Sequence, residues 1–111
     1  MQPETDITQM KKGILEFCVL LIISKERIYS SEIIKELVST GLVTVEGTIY
    51  PMLSRLNADG FLKYSWEESP SGPPRKYYEL SKSGQEKLES FKIAWGSISS
   101  SINLLLKKYG K

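Results

Sequence analysis

The chain has 111 residues, enough for one domain, and its 41% hydrophobic and 25% charged residues are ordinary for a globular protein. Fifteen Lys and Arg against thirteen Asp and Glu leave only +2, so any surface made for a polyanion must be local. There is no histidine and one cysteine, Cys18; this excludes an intramolecular disulfide and removes the commonest general base and metal ligand, so neither an enzyme nor a metal site nor another cofactor is expected.

Residues 1 to 8 are polar and expected to fray. From about Gln9 to Ser24 the spacing predicts a first helix, apolar on most sides through Met10, Ile14, Leu15, Phe17, Val19, Leu21 and Ile22. Such a helix needs protein cover nearly all round, more than one small domain supplies. Lys11 and Lys12 before this run imitate a secretory leader, but Glu16 interrupts it and the run falls short of the ~20 residues that span a bilayer. The expectation is a cytoplasmic protein with no membrane contact, in which Cys18 is a small core hydrophobe.

Ser30 or Ser31 is the expected cap of a second helix, with Ile33, Ile34 and Leu37 on one face and Gly41 at its end. A third helix is predicted from about Val45 to Ala58, capped by Thr44 and closed by Asp59-Gly60. Pro51 falls in its second turn on this reading, which frees the Gly47 carbonyl and predicts a kink on the outer face. Two alternating, aromatic runs, "FLKYSW" and "RKYYEL", then predict a β-hairpin whose long tip is the loop "EESPSGPP". Ser81 caps a final helix running towards Lys108. The fold class is therefore mainly α with a small β-hairpin: a winged helix-turn-helix over residues 1–81, followed by a long C-terminal dimerisation helix over residues 82–111.

Three constellations bear on function. In the third helix Ile49, Met52, Leu53 and Leu56 form one apolar face, which turns Gly47, Pro51 and Ser54 outward with Thr48, Tyr50 and Arg55 on the flanks. A small, polar, weakly charged outer face suits a major groove, where hydroxyls and one arginine reach phosphates or base edges; a helix that merely packs beneath the hairpin is the plain alternative. In the hairpin, Lys63, Arg75 and Lys76 flank the tip and suit a phosphate backbone, although Glu67 and Glu68 would repel one. In the last helix Leu88, Phe91, Trp95, Ile98, Ile102, Leu105 and Tyr109 recur at spacings of 3 and 4, an a/d seam for a second copy of the chain, against which the first helix with Ile14 would also pack. Trp95 beside Ala94, Gly96 and Ser97 either fills that interface or leaves a slot for a flat apolar ligand.

The stretch from Glu46 to Gly84, "EGTIYPMLSRLNADGFLKYSWEESPSGPPRKYYELSKSG", resembles the PadR family of bacterial transcriptional regulators. Gly-Thr-Ile-Tyr-Pro, "SRL" and Gly-Pro-Pro-Arg-Lys-Tyr-Tyr carry the likeness; the first two helices match more loosely, with Ser30-Ser31 where such regulators usually have Gly before Tyr. The resemblance implies a homodimeric repressor, with one C-terminal helix as in the short subgroup, that binds an inverted-repeat operator in double-stranded DNA and is released by an effector. It implies Thr48, Tyr50, Ser54 and Arg55 on a recognition helix, Lys63 to Lys76 as a wing, and a planar aromatic compound held between subunits near Trp95, Phe91, Ile98 and Ile14. The rival expectation is a winged-helix protein-interaction module that never touches DNA.

Overall fold

The computed structural model describes residues 13–42, 47 and 49–110. In chain order the elements are α1 (Ile14–Ser24), β1 (Ile28–Tyr29), α2 (Ser30–Ser39), α3 (Ile49–Ala58), β2 (Leu62–Ser69), β3 (Gly72–Leu80) and α4 (Lys82–Tyr109). Three helices, a hairpin and a long last helix make the expected winged helix-turn-helix. One core joins them: Val19, Leu20 and Ile23 of α1, Ile33, Ile34 and Leu37 of α2, Ile49, Leu53 and Leu56 of α3, with Leu62, Tyr78, Leu80 and Leu88 closing it. Burying one such aliphatic side chain is worth about 1.5–3 kcal/mol, so the apolar stripes of the helices decide which faces turn inward.

Local chemistry fixes the ends of the elements. Gly41 takes a positive φ of 79°, and the N–H groups of Gly41 and Leu42 donate to Val38 O (3.0 Å) and Leu37 O (3.1 Å), which stops α2. The end of α3 repeats the device: Gly60 has φ 85°, its N–H donates to Asn57 O, and Phe61 N–H donates to Leu56 O. The start of α2 differs from expectation. Tyr29 is the cap residue and makes no side-chain cap bond, while Ser30 and Ser31 are already helical. Strand pairing of Tyr29 with Tyr77 holds the entry instead of a serine hydroxyl.

The sheet is larger than a hairpin. Its order is β1-β3-β2, all antiparallel, and the two-residue β1 was too short for any alternation to announce it. β2 and β3 also run through most of "EESPSGPP", leaving Pro70 and Ser71 as the turn. Pro73 and Pro74 are tolerated because they lie in the bulge opposite Glu68, where the register gives neither a strand partner. The register pairs Leu62 with Leu80, Tyr64 with Tyr78 and Trp66 with Lys76, and slips by a bulge between Glu67 and Ser69.

The described part of α3 is Ile49–Ala58; the expected start at Val45, the expected cap Thr44 and Thr48 lie outside the described residues, and with them the start on which the expected kink at Pro51 depends. The predicted start of α1, from Gln9 to Lys12, likewise lies outside the described residues.

At the junction with α4, the Ser81 hydroxyl accepts from Gly84 N–H at 3.0 Å and donates to the Gly60 carbonyl at 2.6 Å. Leu88 is buried, Phe91 packs its ring 5.7 Å from that of Phe17, and beyond them α4 leaves the core. Its 28 residues give the molecule a long dimension of 56 Å against 32 and 21 Å. Among the described residues no helix is long and apolar enough to cross a membrane, and no group of three His, Cys, Asp or Glu side chains could hold a metal.

Candidate nucleic-acid interface

The outer face of α3 carries Tyr50, Pro51, Ser54 and Arg55, all exposed, while Ile49, Leu53 and Leu56 are buried behind it. Beside this face stands the even-numbered side of the hairpin. Leu62 and Leu80 bury its base, and further out the same side presents Tyr64, Trp66, Lys76 and Tyr78. Helix and hairpin together wall a cleft of about 310 Å³, lined on the helix by Tyr50 and Ser54 and on the strands by Trp66, Arg75, Lys76 and Tyr78. None of its described lining residues is acidic.

Inside this cleft Lys76 is held by rings. Its Nζ lies 4.2 Å from the centroid of Tyr64, 5.3 Å from Tyr78 and 5.7 Å from Trp66. A cation over several ring faces is attracted by each quadrupole and loses freedom to swing into solvent. The opposite side of the sheet explains why Glu67 does not spoil the charge. Glu67 is ion-paired with Arg27 there, and Arg27 also lies 4.8 Å from the Tyr77 ring centroid. Tyr77 packs against Tyr29 at 5.8 Å, and Arg75 lies 4.8 Å from the Tyr29 ring centroid; Tyr29 and Arg75 also line the cleft, so alternating cations and rings run from the back of the wing to the cleft itself.

The expected contact residues therefore divide. Tyr50, Ser54, Arg75 and Lys76 come together at the cleft. Arg55 is on the exposed face of α3 but is engaged: Nη2 donates to Oε2 of Glu16 at 3.2 Å. Lys63 stands apart, on the far side of the sheet near Glu79, with 3.9 Å between the charged groups. Thr48 lies outside the described residues.

Glu16 links more than one element. Its Oε1 is 3.6 Å from Nζ of Lys87, so one carboxylate on α1 ties the outer face of α3 to the base of α4. Lys87 in turn lies over the rings of Phe61 (4.7 Å) and Phe91 (4.9 Å). Sequence reasoning used Glu16 only as an interruption of an apolar run. A lone carboxylate in such a run needs a cation nearby, and that was the available signal.

Along α4 the expected seam splits at Phe91. Leu88 belongs to the core and Phe91 is half-buried, whereas Trp95 (48% exposed), Ile98 (54%), Ile102 (49%), Leu105 (56%) and Tyr109 (78%) stand exposed. Ile14 is half-buried. Cys18 packs against the core, and burial pushes its thiol pKa above the ordinary value.

The model of the Transcriptional regulator PadR-like family matches residues 19–90. Solved structures agree. A PadR-like transcription factor from Bacteroides fragilis is 44% identical, with 88% of this chain and 95% of that one covered and a TM-score of 0.75. A PadR-like regulator from Bacillus cereus is 42% identical, covers 88% and 96%, and has a TM-score of 0.80. PadR of Bacillus subtilis, in complex with operator DNA, is 22% identical over 72% of this chain and 47% of that one, with a TM-score of 0.66, a likeness of fold. No match is found among curated proteins.

Proposed function

Because the chain belongs to the PadR-like family of transcriptional regulators, which are regulators and not enzymes, we propose that it is a homodimeric repressor of the bacterial cytoplasm that reads an inverted-repeat operator in double-stranded DNA. The observation that carries this reading is the exposed, small and polar outer face of α3 opening onto a cationic cleft with no acidic residue among its described lining. A helix face of that kind can approach bases closely, and the hydroxyls of Tyr50 and Ser54 can donate to or accept from base edges and phosphates. Thr48 and Arg55 complete the reading face, and Arg75 and Lys76 on the wing neutralise the adjacent backbone; Lys63 contributes at the margin. Residues 1–81 act as the DNA-binding unit and residues 82–111 as the dimerisation helix.

The uncovered seam from Trp95 to Tyr109 supports the dimer: five large apolar side chains spaced for one partner helix are costly in water. Two-fold symmetry then sets the two α3 helices roughly 34 Å apart in successive major grooves. A planar aromatic effector held near Trp95, Phe91, Ile98 and Ile14 would release the operator by favouring a dimer geometry with the wrong helix spacing.

The test is salt. With sites selected from random DNA, and about six phosphates neutralised per dimer, log K should fall against log[salt] with a slope near −5. A flat response, or equal losses for Tyr50→Ala and for a surface change remote from α3, refutes the reading and leaves a protein-interaction module.

A further inference from the structure

We propose that the cleft between α3 and the wing seats one backbone phosphodiester of the bound duplex in each subunit, with Lys76 as its charge contact and Tyr64, Trp66 and Tyr78 as the residues that position Lys76. The proposal rests on the DNA-binding reading above and specifies where the backbone runs. Charge selects the occupant: the described lining is cationic and hydroxylic without a carboxylate, because Glu67 on the neighbouring strand is turned to the other face and paired with Arg27. Position selects it too, since the cleft adjoins the helix face meant for the major groove, and the strand bordering a major groove is the nearest backbone.

A free lysine loses much rotamer freedom on binding a phosphate. Here the Nζ of Lys76 already sits within 4.2–5.7 Å of three ring centroids, on the floor of the cleft that Tyr50 and Ser54 wall from the other side. Among the described residues no hydrogen bond or ion pair engages the Lys76 ammonium, so its N–H groups remain available to a phosphate oxygen. Trp66 is 61% exposed, far more than a side chain required for the core. Its role is therefore separable from folding.

The experiment measures affinity of the full-length protein for a selected duplex, across a salt series, with Lys76→Met, Trp66→Leu, Trp66→Phe and the double variant Trp66→Leu/Lys76→Met. Lys76→Met should flatten the salt slope by roughly 0.9 per subunit. Trp66→Leu should weaken binding roughly five- to twenty-fold for a two-subunit complex at an unchanged melting temperature, and Trp66→Phe, which keeps a ring, should recover most of it. In the Lys76→Met background Trp66→Leu should change almost nothing. If Trp66→Leu costs the same with or without Lys76, or Lys76→Met leaves the slope intact, the proposal is overturned while DNA binding stands. If the wild-type protein binds no duplex, the DNA reading itself falls and takes this proposal with it.

Discussion

Replacing Glu16 by Gln should tighten DNA binding, although it removes an ion pair from the fold. Arg55 donates to Glu16 at 3.2 Å, and a guanidinium so held must let go before it reaches a phosphate or a base. Arg55 is 58% exposed and Glu16 19%, so solvent screens the pair and its worth is that of a surface ion pair, about 0.2–1 kcal/mol. Glu16→Gln removes this competition once per subunit, which gives a dimer a gain of about 0.4–2 kcal/mol, roughly two- to thirty-fold in affinity. The gain should shrink at high salt, where the pair is already weak.

The same change makes each subunit less negative, which favours DNA for a trivial reason. A double-mutant cycle separates the two effects: with Arg55→Ala in place, Glu16→Gln should give only the small general gain. Anisotropy titrations of the four proteins on one selected duplex, at two salt concentrations, provide the numbers. A loss of affinity in Glu16→Gln, with the fold unchanged by circular dichroism, would refute the reasoning and mean that Glu16 aims Arg55 at the DNA. Lys87 supplies a further arm. It shares the carboxylate at 3.6 Å, so Lys87→Met should leave Arg55 more firmly held and weaken binding.

Gly84→Ala should lower the melting temperature by roughly 12–24 °C, about 3 kcal/mol for a domain of this size, because an added Cβ would fall on the Phe61 carbonyl oxygen, itself fixed as acceptor of the Ser81 N–H. Thermal denaturation followed by circular dichroism reads it. Ile102→Glu should convert a dimer into monomers in sedimentation at micromolar concentration and cost roughly a hundred-fold in operator affinity through lost bivalency, with the melting of α1–α3 and the sheet little changed. Cys18 should alkylate more slowly than a free thiol at neutral pH, since burial raises its pKa and keeps it protonated. The folded state thus holds this proton more tightly than the unfolded chain. Its contribution to stability is full below the ordinary thiol pKa of about 8.5 and is lost as pH rises above it, which alkaline urea titrations of the wild type and Cys18→Ala would detect.

The parts of the fold legible in the sequence are those set by periodicity. The 3- and 4-residue spacing of Ile33, Ile34, Leu37, and of Ile49, Leu53, Leu56, is a statement about one face of a helix, and those faces are buried. Gly41, Gly60 and Ser81 act where expected, because each supplies a specific local geometry or hydrogen bond. Features set by tertiary pairing were not legible. Two residues at Ile28–Tyr29 become a strand only because Tyr77 and Tyr78 lie beside them. The prolines of "SGPP" suggested a loop, yet they sit in a strand because the bulge leaves both without a register partner that would need their missing N–H.

The candidate site was legible one helix at a time and not as a constellation. Tyr50, Ser54 and Arg55 follow from the outer face of α3 alone, whereas the grouping of Tyr64, Trp66, Lys76 and Tyr78 depends on the hairpin register. With the long loop first expected, that register is undetermined; the turn at Pro70 and Ser71 pairs Ser69 with Gly72, and the bulge beyond it shifts the pairing by one residue, so that Trp66 faces Lys76 and Tyr64 faces Tyr78. A one-residue slip of β2 would send Trp66 to the opposite side and bring Glu67 into the cleft, cancelling part of its positive charge. The bulge between Glu67 and Ser69 is what sets this pairing, since without it Trp66 would stand opposite Arg75. The strength of the positive charge offered to DNA is thus set by hairpin register as well as by composition. That is why a chain of net charge +2 can present an entirely cationic set of charges in the described lining of this one cleft.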